Sequence, residues 1–103
     1  MEALLARHTP PGTPLAEAQA FVRDRLEHDE PYNDRVTVYP APGENLKAKR
    51  FDQPLALKAF KVHIGWQREL GMLGFRTDYS AWYFFDADDR LLAVKIEREI
   101  DGL

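Results

Sequence analysis

The fold is decided by residues 79–100, which read YSAWYFFDADDRLLAVKIEREI. Two apolar and aromatic runs flank five turn residues, Asp86 to Arg90, and this pattern predicts a β-hairpin with strands at 79–86 and 90–100. A type I turn with Asp89 in a left-handed conformation fits this spacing, because Asp tolerates that region. The register pairs Asp86 with Arg90, then Phe84 with Leu92, Trp82 with Val94 and Ser80 with Ile96.

This register gives the hairpin two apolar faces. The face that we expect in the core carries Trp82, Phe84, Leu92, Val94 and Ile96. The opposite face carries Tyr79, Tyr83, Phe85, Leu91 and Ala93, and these five residues are the candidate interface. One helix cannot cover both faces. The second face is therefore covered by the N-terminal segment or by residues 31–54, or it contacts another protein or a second copy of this chain.

A helix precedes the sheet in the sequence. Thr13 and Pro14 suit its first turn, with Thr13 as the cap and Pro14 as the first helical residue. Apolar residues then recur at helical spacing from Leu15 to Leu26. We expect this helix to end near Asp29, because Pro31 disfavours helical geometry before it. A weaker helical pattern covers residues 2–7.

The middle of the chain predicts two further strands. Phe60, Val62, Ile64 and Trp66 alternate with polar residues, and a bulge or a strand start near Ala59 explains why the preceding residues are out of phase. Residues 36–39 predict a short strand, and residues 44–53 a loop. Gly71 and Gly74 indicate a turn. The whole chain, residues 1–103, is then a single α+β domain, an N-terminal helix packed on an antiparallel β-meander that ends in a β-hairpin.

Composition narrows the class of protein. The chain has 103 residues, a net charge of -3 and no cysteine, so its core forms without disulfides and it has no thiolate chemistry. No apolar stretch reaches the roughly 20 residues needed to span a bilayer. The first residues do not read as a signal peptide. As written, the chain is expected in the cytoplasm, or in the periplasm if a signal segment has been removed.

Two short motifs resemble a known group of proteins. Residues 12–18, Gly-Thr-Pro-Leu-Ala-Glu-Ala, are similar to the helix opening of small bacterial domains of the SmpA/OmlA and β-lactamase-inhibitor-protein type. Residues 82–92 are similar to the closing hairpin of those domains, except that Asp89 stands where they usually have Gly. The motifs cover under a quarter of the chain. The resemblance implies a non-enzymatic domain that binds other proteins.

No arrangement of residues predicts catalysis, a metal site or a cofactor. Asp86, Asp88 and Glu97 match three positions of a calcium loop, but Leu91 occupies the position where such a loop needs Gly. The three histidines, His8, His28 and His63, lack the short spacing of metal ligands. Ser80 faces the core in the predicted register, and Glu97 and Glu99 are expected at a solvated edge. We therefore expect that the protein is not an enzyme.

A basic segment offers an alternative function. Residues 47–68 hold six cations and one anion, and the candidate anion-binding residues are Lys47, Lys49, Arg50, Lys58 and Lys61. Such a segment can bind phosphates, although the overall acidity argues against nucleic acid. A third hypothesis is a small-ligand site or an enzyme between helix and sheet, using His63 and lined by Trp66 or Trp82. The leading hypothesis is a protein-binding or accessory domain that makes contact through its sheet.

Overall fold

The computed structural model describes residues 2–26, 33–39, 52–68 and 76–101. Two helices, α1 (Glu2–His8) and α2 (Leu15–Arg25), precede four strands. The strands are β1 (Thr37–Val38), β2 (Lys58–Arg68), β3 (Arg76–Phe85) and β4 (Leu91–Asp101). All neighbours are antiparallel and the order is β1-β2-β3-β4. The predicted α+β class with an antiparallel meander is confirmed. None of the helices in these ranges is long and apolar enough to cross a membrane.

The start and end of α2 differ from the prediction. The Thr13 hydroxyl donates to the carbonyl of Pro10 at 2.6 Å, so it stabilises the preceding turn and does not cap the helix. Pro14 is the N-cap, with the extended angles φ −62° and ψ 148°. The helix ends at Arg25 because Leu26 is already extended, with ψ 132°. The predicted end near Asp29 is therefore wrong, and Asp29 itself lies outside the described residues.

The turn of the hairpin is as predicted. Asp89 has φ 58°, the left-handed conformation that the loop length requires. One carboxylate oxygen of Asp86 accepts hydrogen bonds from the N–H groups of Asp88 (2.8 Å) and Arg90 (3.0 Å). The N–H of Asp86 also donates to the carbonyl of Arg90 at 3.0 Å, which closes the turn. The acids of the turn thus bind backbone groups, as Asp side chains commonly do in turns.

The register beyond the turn is not the predicted one. Phe85 pairs with Leu91 and Phe84 with Ala93, so Leu92 is an extra residue in β4. Such a bulge shifts the partner of every following residue by one position, and a shift of one residue moves a side chain to the other face of the sheet. Val94 and Ile96 therefore share a face with Tyr83 and Phe85, and the predicted pairing of Trp82 with Val94 is wrong.

Both faces of the sheet carry apolar residues. The main core lies under the two helices and joins Leu5, Ala18 and Val22 to Phe60, Val62, Ala81, Tyr83, Phe85, Leu91 and Val94. A second cluster on the other face joins Phe84, Trp82 and Leu92 to Ala56, Ala59 and Tyr39. The predicted core residues are therefore divided between two clusters. The inward alternation of β2 is confirmed for Phe60 and Val62, and β2 begins at Lys58, close to the predicted start.

One predicted strand is shorter than expected, and several other predictions fall outside the described residues. The strand predicted at 36–39 is shorter, since β1 contains only Thr37 and Val38. Most of the predicted loop at 44–53, the turn at Gly71 and Gly74, and His28 lie outside the described ranges.

Candidate functional site at the outer edge of the sheet

The outer edge of β4 carries backbone groups whose direction follows from the hydrogen bonds of β3. The carbonyl of Phe85 accepts from the N–H of Leu57 at 2.9 Å, so Phe85 directs its backbone groups away from β4. These directions alternate along a strand, so Phe84 faces β4 and bonds to its partner Ala93. The next residue of β4, Val94, therefore directs its N–H and C=O outward, away from the sheet. No hydrogen bond reaches these groups from any described residue.

The chain itself already adds a short strand to the beginning of this edge. The N–H of Gly12 donates to the carbonyl of Leu91 at 2.8 Å, and the N–H of Leu91 donates to the carbonyl of Thr13 at 2.9 Å. Pro14 and Arg90 form an antiparallel bridge beside them. The segment from Gly12 to Pro14 therefore occupies the edge at Arg90 and Leu91. Its antiparallel bonding shows how an extended segment fits this edge.

A groove continues along β4 where this segment leaves it. Its volume is about 380 Å³, within the usual size range of ligand sites. Five consecutive strand residues, Leu91 to Lys95, form one side of the groove, and Ala6, Thr9 and Pro11 form the other. An edge strand facing a helix across an apolar groove is the arrangement in which proteins add an extended peptide to a sheet.

Two buried hydroxyl groups lie next to the groove. Thr9 is 1% exposed and its hydroxyl donates to the carbonyl of Leu5 at 2.7 Å. Tyr83 is fully buried, and burial raises the pKa of its phenol above the usual 10.0, an effect that the nearby Thr9 hydroxyl partly opposes. Despite this proximity, the described residues offer the Tyr83 hydroxyl no hydrogen bond of acceptable geometry. A buried hydroxyl without a hydrogen bond costs about 1–3 kcal/mol.

A polar cluster lies on the face of the sheet opposite to the helices. Glu97 is 2% exposed and accepts a hydrogen bond from the indole N–H of Trp82 at 3.1 Å. The ammonium group of Lys61 lies 3.6 Å from the same carboxylate and 5.5 Å from the centre of the Trp82 ring. Glu97 therefore belongs to a buried hydrogen-bonded cluster, and the solvated edge expected from its sequence position is wrong.

His63 is part of a second polar pair on this face. Its Nε2 lies 2.9 Å from a carboxylate oxygen of Asp78, and both side chains are mostly buried. Ser80 lies directly across from His63 in the sheet and is 6% exposed, but no hydrogen bond joins the two side chains. Within the described ranges, no group of three or more His, Asp or Glu residues could hold a metal ion. The pair His63–Asp78 thus joins β2 to β3.

The structure corrects the predicted interface. Tyr83, Phe85 and Leu91 are buried in the main core under the helices, with at most 2% of their surface exposed. Only Tyr79 and Ala93 are half-buried. The helices cover these residues, because Leu5, Ala18 and Val22 belong to the same core cluster. Tyr83, Phe85 and Leu91 cannot contact a partner without unfolding the core.

The predicted anion-binding set is divided in a similar way. Lys47, Lys49 and Arg50 lie outside the described residues. Lys58 forms an ion pair with Asp89, and Lys61 lies within 4 Å of both Glu97 and Glu99. Both described lysines of this set, Lys58 and Lys61, therefore have carboxylate partners. The predicted small-ligand site near His63 also differs from the groove, which lies between α1 and β4.

The protein that these features define is a small α+β domain with an antiparallel meander, a core under its helices, a second apolar cluster on the other sheet face and a groove along one edge. Comparison of the chain with protein-family models, curated proteins and solved structures found no match. The resemblance to small bacterial envelope domains therefore stays a prediction.

The apolar pattern of the sequence predicts contact through a sheet face, and it does not predict a binding site at the edge of β4. One signal was present, because the last strand of a meander lies at the edge of its sheet. The position of α1 beside that edge had no comparable signal, since seven residues form a helix only when tertiary contacts stabilise it.

Proposed function

We propose that this protein is a non-enzymatic protein-binding domain that adds an extended segment of its partner to the outer edge of β4. The observation that carries the proposal is the outward N–H and C=O of Val94, which face the groove between α1 and β4 without a described partner. Backbone N–H and C=O groups that are buried away from water almost always bind a hydrogen-bond partner. An extended peptide backbone supplies a donor and an acceptor at the required spacing.

The antiparallel segment from Gly12 to Pro14 supports this binding mode. It forms hydrogen bonds to the backbone of Leu91, as an added strand would form them to the backbone of Val94. The groove begins where this segment leaves the edge. An incoming peptide would continue an edge that the chain already uses. The domain then contacts its partner through the edge of the sheet, whereas the sequence predicted contact through a face.

The first experiment selects peptides from a displayed library of random sequences and scans the best binder by N-methylation of each amide. In an added strand, only alternate N–H groups of the peptide point toward β4. Methylation should therefore weaken binding at every second residue. Loss of one hydrogen bond corresponds to roughly a twofold to tenfold increase in Kd. The readout is a titration followed by NMR, which also shows whether the amide of Val94 shifts.

A pair of protein variants provides the matched control. Val94→Pro removes the outward donor inside the groove without removing a hydrogen bond between β3 and β4. Val38→Pro makes the same change at the other end of the described sheet. The N–H of Tyr39 donates to the carbonyl of Leu57 at 2.8 Å, so the N–H of Val38, one residue earlier, points away from β2. The first variant should weaken peptide binding and the second should not. Because Val94 also packs in the core, circular dichroism must show that the variant is folded.

Two outcomes contradict the proposal. Selected peptides whose affinity does not depend on alternate amides would show that the site recognises side chains only. Peptides whose NMR perturbations centre on Lys61 and His63 would place the binding site on the polar face. The methylation scan decides the question even if Val94→Pro fails to fold, because it changes only the peptide.

A further inference from the structure

We infer that the partner segment added at β4 carries an acidic residue directly before an apolar one, with the acidic residue lying opposite Lys95. This inference rests on the proposed function, because it uses the same edge and names the chemistry of the partner. Three features of the groove carry it. They are the length of edge that is open to a partner, the face that each peptide side chain takes, and the charge that lines the groove.

The stretch of β4 that is open to a partner is short. Gly12 and Thr13 occupy the edge at Leu91. Ile96 is the next residue after Val94 whose backbone points outward, and it already has an interaction partner. The N–H and C=O of Val94 therefore lie between two occupied positions. In an antiparallel pair, both of these groups bond to a single residue of the peptide.

This register fixes the face that each peptide side chain takes. Residues directly opposite each other on antiparallel strands direct their side chains to the same face of the sheet. The side chain of Val94 packs under the helices, so the peptide residue opposite Val94 points to the side of the groove that α1 forms. The residue before it lies opposite Lys95. Lys95 pairs with Trp82 in the sheet, so both point away from the helices.

The wall formed by α1 and the residues after it favours an apolar side chain opposite Val94. Ala6 and Pro11 have no polar atom in their side chains. The hydroxyl of Thr9 already donates to the carbonyl of Leu5 at 2.7 Å, so its proton is already used. A polar side chain that lost water here without a new hydrogen bond would weaken binding. We therefore expect Val, Ile or Leu at this position of the peptide.

The charge of Lys95 favours an acidic residue before the apolar one. Lys95 is the one charged side chain among the described residues that line the groove. It is half-buried and forms no ion pair within the described ranges. The carboxylates of Glu97 and Glu99 both lie within 4 Å of Lys61. Opposite charges facing each other across neighbouring strands are stabilising, so an acidic residue of the peptide would give Lys95 a partner.

The test uses the best binder from the library of random peptides. Its residue opposite Lys95 is identified by a nuclear Overhauser effect between the two Hα atoms, because the Cα atoms of such a pair lie about 4.5 Å apart. We expect Asp or Glu there. Synthetic peptides then replace this residue by its neutral amide or by Lys. The neutral peptide should bind with a Kd roughly twofold to fivefold higher and the Lys peptide about tenfold higher. High salt should reduce both differences.

A change of charge on the protein completes the test. Lys95→Glu should bind the Lys peptide more tightly than the acidic one, and Lys95→Gln should bind the three peptides about equally. Arg35→Glu is the matched control, because it makes the same change in net charge on an exposed residue before β1. It should keep the wild-type preference. The peptide series on the wild-type protein decides the question even if a Lys95 variant fails to fold.

The outcomes separate this inference from the proposed function. A best binder without an acidic residue opposite Lys95, or an acidic preference that Lys95→Glu leaves unchanged, overturns the inference. If that binder still shows the alternating dependence on its amides, the proposed strand addition stands. If no peptide binds, or if affinity does not depend on alternate amides, the proposed function fails and the inference fails with it. Alternating amide dependence together with a charge preference that reverses in Lys95→Glu supports both.

Discussion

Tyr83→Phe should raise the free energy of unfolding, because the Tyr83 hydroxyl has no hydrogen bond of acceptable geometry among the described residues. The Tyr83 ring stacks on Phe60, with centroids 4.7 Å apart and planes 7° from parallel, and Tyr83→Phe keeps this contact. The variant removes only the buried hydroxyl that has no acceptable partner among the described residues. An unsatisfied buried polar group costs about 1–3 kcal/mol. The removed oxygen also loses some van der Waals contact, so we expect a net gain of about 1 kcal/mol in the free energy of unfolding.

Urea denaturation followed by far-ultraviolet circular dichroism measures this change. With a typical m-value of about 1–3 kcal/mol/M, a gain of 1 kcal/mol raises the denaturation midpoint by roughly 0.3–1 M at unchanged m. The melting temperature should rise by about 4–8 °C for a domain of this size. Tyr79→Phe is the matched control, since it makes the same chemical change on the same strand at a half-buried tyrosine. We expect the control to change stability by less than about 0.5 kcal/mol.

The pH dependence of stability provides a second measurement on the same pair of variants. Burial raises the pKa of Tyr83 above its ordinary 10.0 in the native state. Below pH 10 both states keep the phenol proton and the group has no effect. Above pH 10 the unfolded chain loses the proton first, so the free energy of unfolding falls as pH rises toward the native pKa. Tyr83→Phe should reduce this loss of stability above pH 10. Part of the loss should remain, because burial also raises the pKa of Tyr39.

One result would refute this reasoning. If Tyr83→Phe lowers the free energy of unfolding by 1 kcal/mol or more while Tyr79→Phe does not, the Tyr83 hydroxyl makes a good hydrogen bond, either to Thr9 or to a buried water.

Three further pairs of variants test other parts of the fold. Phe85→Lys should unfold the domain, because a core substitution of Phe alone costs about 3–5 kcal/mol of a total of about 5–15, whereas Val38→Lys on an exposed residue should change the urea midpoint little. Asp52→Gly should stabilise by up to about 1 kcal/mol, because Asp52 has φ 57°. Asp89→Gly should stabilise the protein less, because it also removes the ion pair with Lys58. Thermal melts of the two glycine variants measure the difference. Glu97→Ala should cost about 1–3 kcal/mol and Glu97→Gln less, because Gln still accepts the indole hydrogen bond, which NMR of the indole N–H detects.

Local signals in the sequence predicted the elements well. The five turn residues required a left-handed position, and Asp89 was the residue that could adopt it. The alternation from Phe60 to Ile64 placed one side of β2 inward, because only one phase buried the large residues. The spacing of Ala18 and Val22 likewise identified the buried side of α2. In each case the local pattern was compatible with only one arrangement of the residues.

The register of the hairpin could not be predicted in this way. Leu91 and Leu92 are adjacent and equally apolar, so either can point into the main core. Aromatic residues occupy both faces of β3, so neither register leaves one face polar. A bulge is then as compatible with the hydrophobic pattern as a regular ladder. The choice depends on contacts with helices that are more than 60 residues away in the chain, and no local pattern contains that information.

The bulge at Leu92 also determines what kind of partner the domain can accept. Because it directs Tyr83, Phe85 and Val94 under the helices and leaves Phe84 in the second cluster, the large apolar residues of the hairpin are satisfied within the chain. The outward backbone groups of Val94 have no partner among the described residues, and apolar contact cannot stabilise such polar atoms. A flat apolar partner would therefore gain little here. An extended backbone would gain hydrogen bonds to these groups.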